Sequence, residues 1–196
     1  MRTIVWDVDD VLNDLMYQWF SQGWKQGQPA EPSEYSKLTE NPPHVSLGVA
    51  QEEYLASIDA FRKTDAGIHL KPNAEVLEWF SAHGSKFRHV ALTARPLETA
   101  PEVAAWVMRY FGPWIRCFGV VPTRTIKGVP VYDRGKGDYL RWLGKGDVFI
   151  DDTRENLIQA AKMGMKTFAW PQPWNDSQLT TTEILQKLTN MAVDFD

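Results

Sequence analysis

The chain has 196 residues, 43% hydrophobic and 23% charged, an ordinary globular composition long enough to bury one sizeable core. A net charge of −4 and a pI near 5.6 give it no global attraction for polymeric nucleic acid or an anionic membrane, so any phosphate ligand must be held locally. It has neither an apolar run of the roughly 18 residues a membrane span needs nor a signal-peptide pattern, because acidic residues follow Arg2 within a few positions; a cytoplasmic setting is expected.

The first predicted element is a strand over residues 3–6, followed at once by the acidic stretch DVDDVLND. Leu12, Leu15, Met16, Trp19 and Phe20 then form a helical stripe. A Pro-rich stretch runs from Pro29 to Pro43, and VAQEEYLASIDAFRK reads as a further helix. About 80 residues separate the first strand from the second, far more than a crossover helix needs. Residues 15–70 are therefore expected to form a small helical insertion, a cap, on a core built from 1–14 and 71–196.

The core rhythm resumes at Lys71-Pro72 with KPNAEVLEWFSAHG, a helix stopped by Gly84, and a strand over 89–92. In PEVAAWVMRYFG the residues Val103, Trp106, Val107, Tyr110 and Phe111 keep one helical face between Pro101 and Gly112. Strands over 117–121, 148–150 and 167–170 complete the pattern. Cys117, the only cysteine, can form no intramolecular disulfide and is expected as a small buried strand residue. Strands alternating with helices predict a doubly wound, Rossmann-like parallel sheet covered on both faces.

Such sheets bind ligands outside the carboxyl ends of their strands. The first strand ends at Asp7-Val8-Asp9, the second at Thr93 and the fourth at Asp151-Asp152. Several carboxylates stay ionised together in a desolvated cleft only when a cation neutralises them, and Mg²⁺ suits carboxylate, carbonyl and phosphate oxygens. Asp7 could then attack phosphorus while Asp9 protonates the leaving oxygen and later activates water. The hydroxyl of Thr93 and a nearby lysine would bind the phosphoryl oxygens.

These segments resemble the four motifs of the haloacid dehalogenase (HAD) superfamily phosphatases. WDVDDVLND is similar to the first, HVALTARP to the second, RGKGDYLRWL to the third and DVFIDDTREN to the fourth, in family order from Asp7 to Asp152. The resemblance implies Asp7, Asp9, Thr93 and Lys136 as catalytic residues. It implies a Mg²⁺ site formed by Asp7, the Asp9 carbonyl and Asp152, with Asp151 behind them. Arg124, Lys127, Arg134 and Lys145 lie near enough to compete for the role of Lys136. Asn156 either orients an acid of the fourth motif or opens the next helix.

DVDDVLNDL and WPQPWN are also similar to segments of the 5'(3')-deoxyribonucleotidases, which carry a helical cap after the first motif; Asp10 departs from their glycine. A small phosphomonoester substrate follows, with Arg95, Trp19 and Trp24 as further substrate-binding candidates and no bearing on oligomeric state. A receiver-like phosphoaspartate module is an alternative, although its phosphoacceptor should precede the Thr at a later strand end. A nucleic-acid end phosphatase is another, and the acidic pI weighs against it.

Overall fold

The computed structural model describes residues 1–22, 24 and 31–193; Pro29, the start of the Pro-rich stretch, lies outside the described residues. After strand β1 (Thr3–Trp6) come the short helices α1 (Leu15–Ser21), α2 (Pro32–Tyr35) and α3 (His44–Leu47), then α4 (Gln51–Arg62) and α5 (Asp65–Ile68). The alternating part follows as α6 (Ala74–His83), β2 (Arg88–Arg95), α7 (Ala100–Phe111), β3 (Ile115–Pro122) and α8 (Lys136–Leu143). It ends with β4 (Val148–Asp151), α9 (Arg154–Lys162), β5 (Lys166–Ala169) and α10 (Thr181–Val193).

All five strands pair in parallel in the order β3-β2-β1-β4-β5. The chain winds outward from β1 to β3, then returns to the other side of β1 and winds out again through β4 to β5. The direction reverses between β1 and β4, so the cleft at their carboxyl ends is where this topology opens a ligand site. The order also differs from the 2-1-3-4-5 of receiver-type folds.

The two-residue period of β1 explains both layers. Ile4 and Trp6 face a cluster with Val76 and Phe80 of α6, Trp106 of α7 and Leu188 of α10. Val5 points the other way, to Leu140 of α8 and Leu157 of α9. Helix α6 begins where the Asn73 side chain accepts from the Val76 N–H at 3.3 Å, and Gly84 and Gly112 close α6 and α7 as their sequences predict. The second strand continues through Thr93 to Arg95, beyond its predicted end, because Thr93, Ala94 and Arg95 keep pairing with 120–122 of β3. Cys117 corrects the expectation of burial: it is exposed, since β3 is the edge strand and is covered only in part.

Helices α1 and α4 pack on each other through Leu15, Met16, Trp19, Tyr54 and Ile58, an apolar cluster separate from those on the sheet. The segment leaves the core after Asn13 and returns at Pro72, and these two residues form an antiparallel bridge. The Asn73 N–H donates to the Leu12 carbonyl at 2.8 Å beside it. Trp106 Nε1 adds a bond to the Leu70 carbonyl at 2.7 Å.

His89 is buried between Phe80 and Trp6. Its Nδ1 accepts from Trp6 Nε1 at 3.0 Å and its Nε2 faces the Gly84 carbonyl at 2.8 Å, a pairing that fixes the neutral ring protonated on Nε2. Burial lowers its pKa to about 4, against the bond to Gly84, which works in the other direction. The folded chain thus takes up this proton far below the unfolded value of 6.5. The stability tied to a neutral His89 is complete above pH 6.5 and is lost as pH falls toward 4. Urea unfolding of wild type and His89→Gln should show wild type losing about 2 kcal/mol more than the variant between pH 7.5 and 5.

Candidate active site

The turn after β1 folds around its own side chains. Asp7 Oδ1 accepts from the Val8 N–H at 2.7 Å, and Asn13 Oδ1 accepts from the N–H groups of Asp10 at 3.4 Å and Leu15 at 3.0 Å. Asp10 has a φ of 62°, the left-handed region that glycine or Asp accommodates best, which accounts for Asp10 standing where the resembled motif carries glycine. Its carboxylate turns back to accept from the Met16 N–H at 2.8 Å.

Across the switch point lies the acid pair that ends β4. Asp7, Asp151 and Asp152 each offer a carboxylate oxygen within 4.8 Å of the others, and all three are buried. Lys136, the first residue of α8, is 3% exposed and lies between two of them, with Nζ 2.6 Å from Asp7 Oδ2 and 2.8 Å from Asp151 Oδ2. Of the basic candidates it is the one that reaches the acids. Asp151 is further held by the Thr153 N–H at 2.8 Å and by Asn156 Nδ2 at 3.1 Å, so Asn156 orients an acid of the fourth motif.

One ammonium faces three buried carboxylates, and the electrostatics show the imbalance. Burial raises the pKa of Asp7 well above the carboxylate range, with Lys136 opposing and Asp151 and Asp152 adding to the rise. Burial and Asp151 push Asp152 up to about 6. Burial works against the charge of Lys136, but Asp151 and Asp7 outweigh it and hold its pKa above that of a free lysine. The surplus of oxygen donors and negative charge fits a hard divalent cation among Asp7, Asp152 and the neighbouring turn.

Asp9 is different. Burial raises its pKa, but Arg95 and Arg62 outweigh burial and hold the carboxyl below its usual range. Arg95 grips both oxygens, with Nε 2.6 Å from Oδ2 and a terminal nitrogen on Oδ1, while Arg62 of α4 stands 3.5 Å away. Arg95, a candidate for substrate contact, is thus engaged with Asp9. Arg62 also pairs with Asp59 at 2.8 Å, and Asp59 in turn with Arg124.

These groups line a cavity of about 140 Å³ with Asp7, Asp9, Asp10, Thr93, Lys136 and Asp152 on the sheet side. Met16, Tyr54, Ile58, Arg62 and Asn41 close it from the helical insertion. Thr93 is fully buried, and among the described residues neither its Oγ1 nor the buried Arg62 Nε has a hydrogen-bond partner. Trp19 and Trp24 do not line this cavity: Trp19 is 2% exposed, donates to Ser57 Oγ at 3.1 Å and stacks on Trp24 within the insertion's own apolar cluster. Arg62, Asn41 and Tyr54 escaped the sequence reading because no motif marks them.

The parallel order and the switch-point cleft define a doubly wound α/β fold, and solved structures share it. A haloacid dehalogenase-like hydrolase of Streptococcus pneumoniae aligns over 95% of this chain and 90% of its own at 15% identity, with a TM-score of 0.60. YfnB of Bacillus subtilis, described as a HAD-hydrolase and solved with magnesium bound, aligns over 98% of both chains at 13% identity, TM-score 0.58. A HAD-superfamily hydrolase of Geobacter sulfurreducens aligns over 98% and 96% at 9% identity, TM-score 0.57. At such identities the likeness is one of fold. No family model matches the sequence, and no curated protein matches it.

Lys136→Met should destabilise the metal-free protein by about 3–5 kcal/mol, because it leaves buried carboxylates uncompensated. Adding Asp151→Asn should recover part of the loss, as read from chemical unfolding of the single and double variants.

Proposed function

We propose that this protein is a Mg²⁺-dependent phosphomonoester hydrolase working through an aspartyl-phosphate on Asp7. The observation that carries the reading is the buried set of Asp7, Lys136, Asp151 and Asp152 at the switch point, with the unpartnered hydroxyl of Thr93 beside it. Asp7, Asp152 and the Asp9 carbonyl would hold Mg²⁺. Bound there, the ion neutralises the carboxylates and the charge of the phosphoryl group.

In the first step an Asp7 carboxylate oxygen forms a bond to phosphorus while the bond from phosphorus to the leaving oxygen breaks. Asp9 gives that oxygen a proton. In the second step water attacks phosphorus, Asp9 takes its proton, and the bond to Asp7 breaks to release phosphate. Lys136 and Thr93 donate to the equatorial oxygens as charge redistributes. The clamp of Arg95 keeps Asp9 ionised in the ligand-free protein; an arriving phosphate dianion works in the opposite sense and raises its affinity for the proton that the first step needs.

The leaving group would lie under the insertion, against Met16, Tyr54 and Ile58 and within reach of the Arg62 Nε. A small phosphorylated metabolite is the substrate class, and the resemblance of DVDDVLNDL and WPQPWN favours a nucleoside or deoxynucleoside monophosphate. A cytoplasmic enzyme is the corresponding setting, and among the described residues no helix is long and apolar enough to cross a membrane.

Phosphate release from a panel of nucleotides, sugar phosphates and other monoesters should require Mg²⁺, stop with EDTA and resume when Mg²⁺ is restored. Asp7→Asn should abolish turnover with the fold intact by circular dichroism; activity near wild type would move the nucleophile elsewhere. Asp9→Asn should slow an alkyl phosphomonoester by roughly 10²–10⁴. An aryl ester, whose leaving group needs no proton, should suffer less in the initial burst. An equal loss for both esters in burst and turnover would remove Asp9 from the leaving-group role.

A further inference from the structure

Asp152 is held from two sides by groups outside the four motifs. Trp174 Nε1 donates to Oδ2 at 2.7 Å and Asn41 Nδ2 donates to the same oxygen at 3.1 Å. The other oxygen, Oδ1, has among the described residues only the Thr153 hydroxyl at 3.4 Å. Two donors converging on one carboxylate oxygen stop the group from rotating and leave the second oxygen as the one presented to a ligand.

The two donors come from different parts of the molecule. Trp174 belongs to the loop after β5, which is tied to the core at several points. Asn175 Nδ2 donates to the carbonyls of Asp152 at 2.9 Å and Trp170 at 2.7 Å, and Gln172 Nε2 donates to the Asp10 carbonyl at 2.8 Å. This loop therefore braces the turns after β1 and β4 together. Asn41 lies between α2 and α3, within the helical insertion, and its position over Asp152 depends on where the insertion sits.

We propose that Trp174 and Asn41 are positioning residues of the cation site, and that through Asn41 the insertion becomes part of that site, so that Mg²⁺ occupancy and docking of the insertion favour one another. The inference rests on the divalent-cation reading of the acid cluster. Mg²⁺ demands near-ideal octahedral geometry, so a carboxylate free to turn binds it less well than one held in place. Loss of a group that orients a metal ligand typically costs 10–100-fold in metal affinity. Linkage is reciprocal: if a docked Asn41 improves the site for Mg²⁺, bound Mg²⁺ must stabilise the docked insertion by the same factor.

The test uses the full chain and Mg²⁺ alone. The indole N–H signal of Trp174 in a ¹H–¹⁵N spectrum, assigned by its loss in Trp174→Phe, should move on titration with Mg²⁺. Asn41→Ala should shift the midpoint 10–100-fold higher, and calorimetry on Trp174→Phe should show a weakening of similar size. Hydrogen exchange in α4 should slow with Mg²⁺ in the wild type and change little in Asn41→Ala. Glu98→Gln is the control: Lys63 of the insertion pairs with Glu98 of the core at 2.7 Å, an exposed ion pair of little energetic weight that touches neither Asp152 nor its two donors, and its loss should leave Mg²⁺ affinity unchanged. Unaltered affinity and protection in Asn41→Ala, or an equal loss in Glu98→Gln, would overturn the positioning role while the phosphatase reading stands. A wild-type protein that binds no Mg²⁺ would overturn the cation reading and this inference together.

Discussion

The contact on which the site depends is the double ion pair of Lys136 with Asp7 and Asp151. It joins the first residue of α8 to the ends of β1 and β4, the two strands between which the sheet changes direction. A single ammonium cannot balance the carboxylates around it, and the protein leaves that deficit in place. It satisfies the acids one oxygen at a time with neutral donors: the Val8 amide on Asp7, Thr153 and Asn156 on Asp151, and Trp174 and Asn41 on Asp152. The acids are thereby held in defined directions around one ammonium. Under the proposed function, such a site would take a divalent cation together with a phosphate.

Asp9 stands two residues from Asp7, yet its environment is reversed. Asp7 shares a lysine with a second acid, while Asp9 has one arginine to itself and a second nearby. Asp7 directly follows β1, whereas Asp9 lies in the turn that the left-handed Asp10 bends, so the two reach different neighbours. One short motif thereby holds a carboxylate that burial drives toward protonation and another that guanidinium groups keep ionised. In the metal-free protein this divergence runs against the proposed roles, which need Asp7 ionised and Asp9 protonated; a cation beside Asp7 and a phosphate dianion beside Asp9 would each reverse it.

Much of this was legible in the sequence because strand-forming runs and helical stripes report burial, and burial determines a doubly wound sheet. The stripe of Val103, Trp106, Val107 and Phe111 faces the core as its spacing requires, and Trp6 and Trp170 are buried. The acids, Thr93 and Lys136 could be brought together because strand ends are predictable positions. Periodicity fails where side chains answer to local partners instead. Cys117 has an apolar sequence neighbourhood but lies on an edge strand, a fact that only strand order reveals. Trp19 and Trp24 follow the acidic turn in sequence, yet α1 buries Trp19 in the insertion's own cluster and Trp24 packs against it there. Asn41, Arg62 and Trp174 are polar or isolated residues whose meaning comes from long-range hydrogen bonds or, for Arg62, a long-range ion pair, and no spacing rule announces such a contact.

The bridge between Asn13 and Pro72 has a further consequence. The two points where the helical segment departs and returns are hydrogen-bonded neighbours, so β1 and α6 are joined across this bridge whatever lies between. The entropy of closing a loop grows only with the logarithm of its length, and a loop whose ends are already fastened places little demand on its contents. The segment's apolar residues pack largely among themselves. The architecture therefore behaves as a socket: a segment of different length or fold could be spliced between these residues while the sheet keeps its register, provided that it again supplies the donor to Asp152 and the cation beside Asp9 that Asn41 and Arg62 supply here.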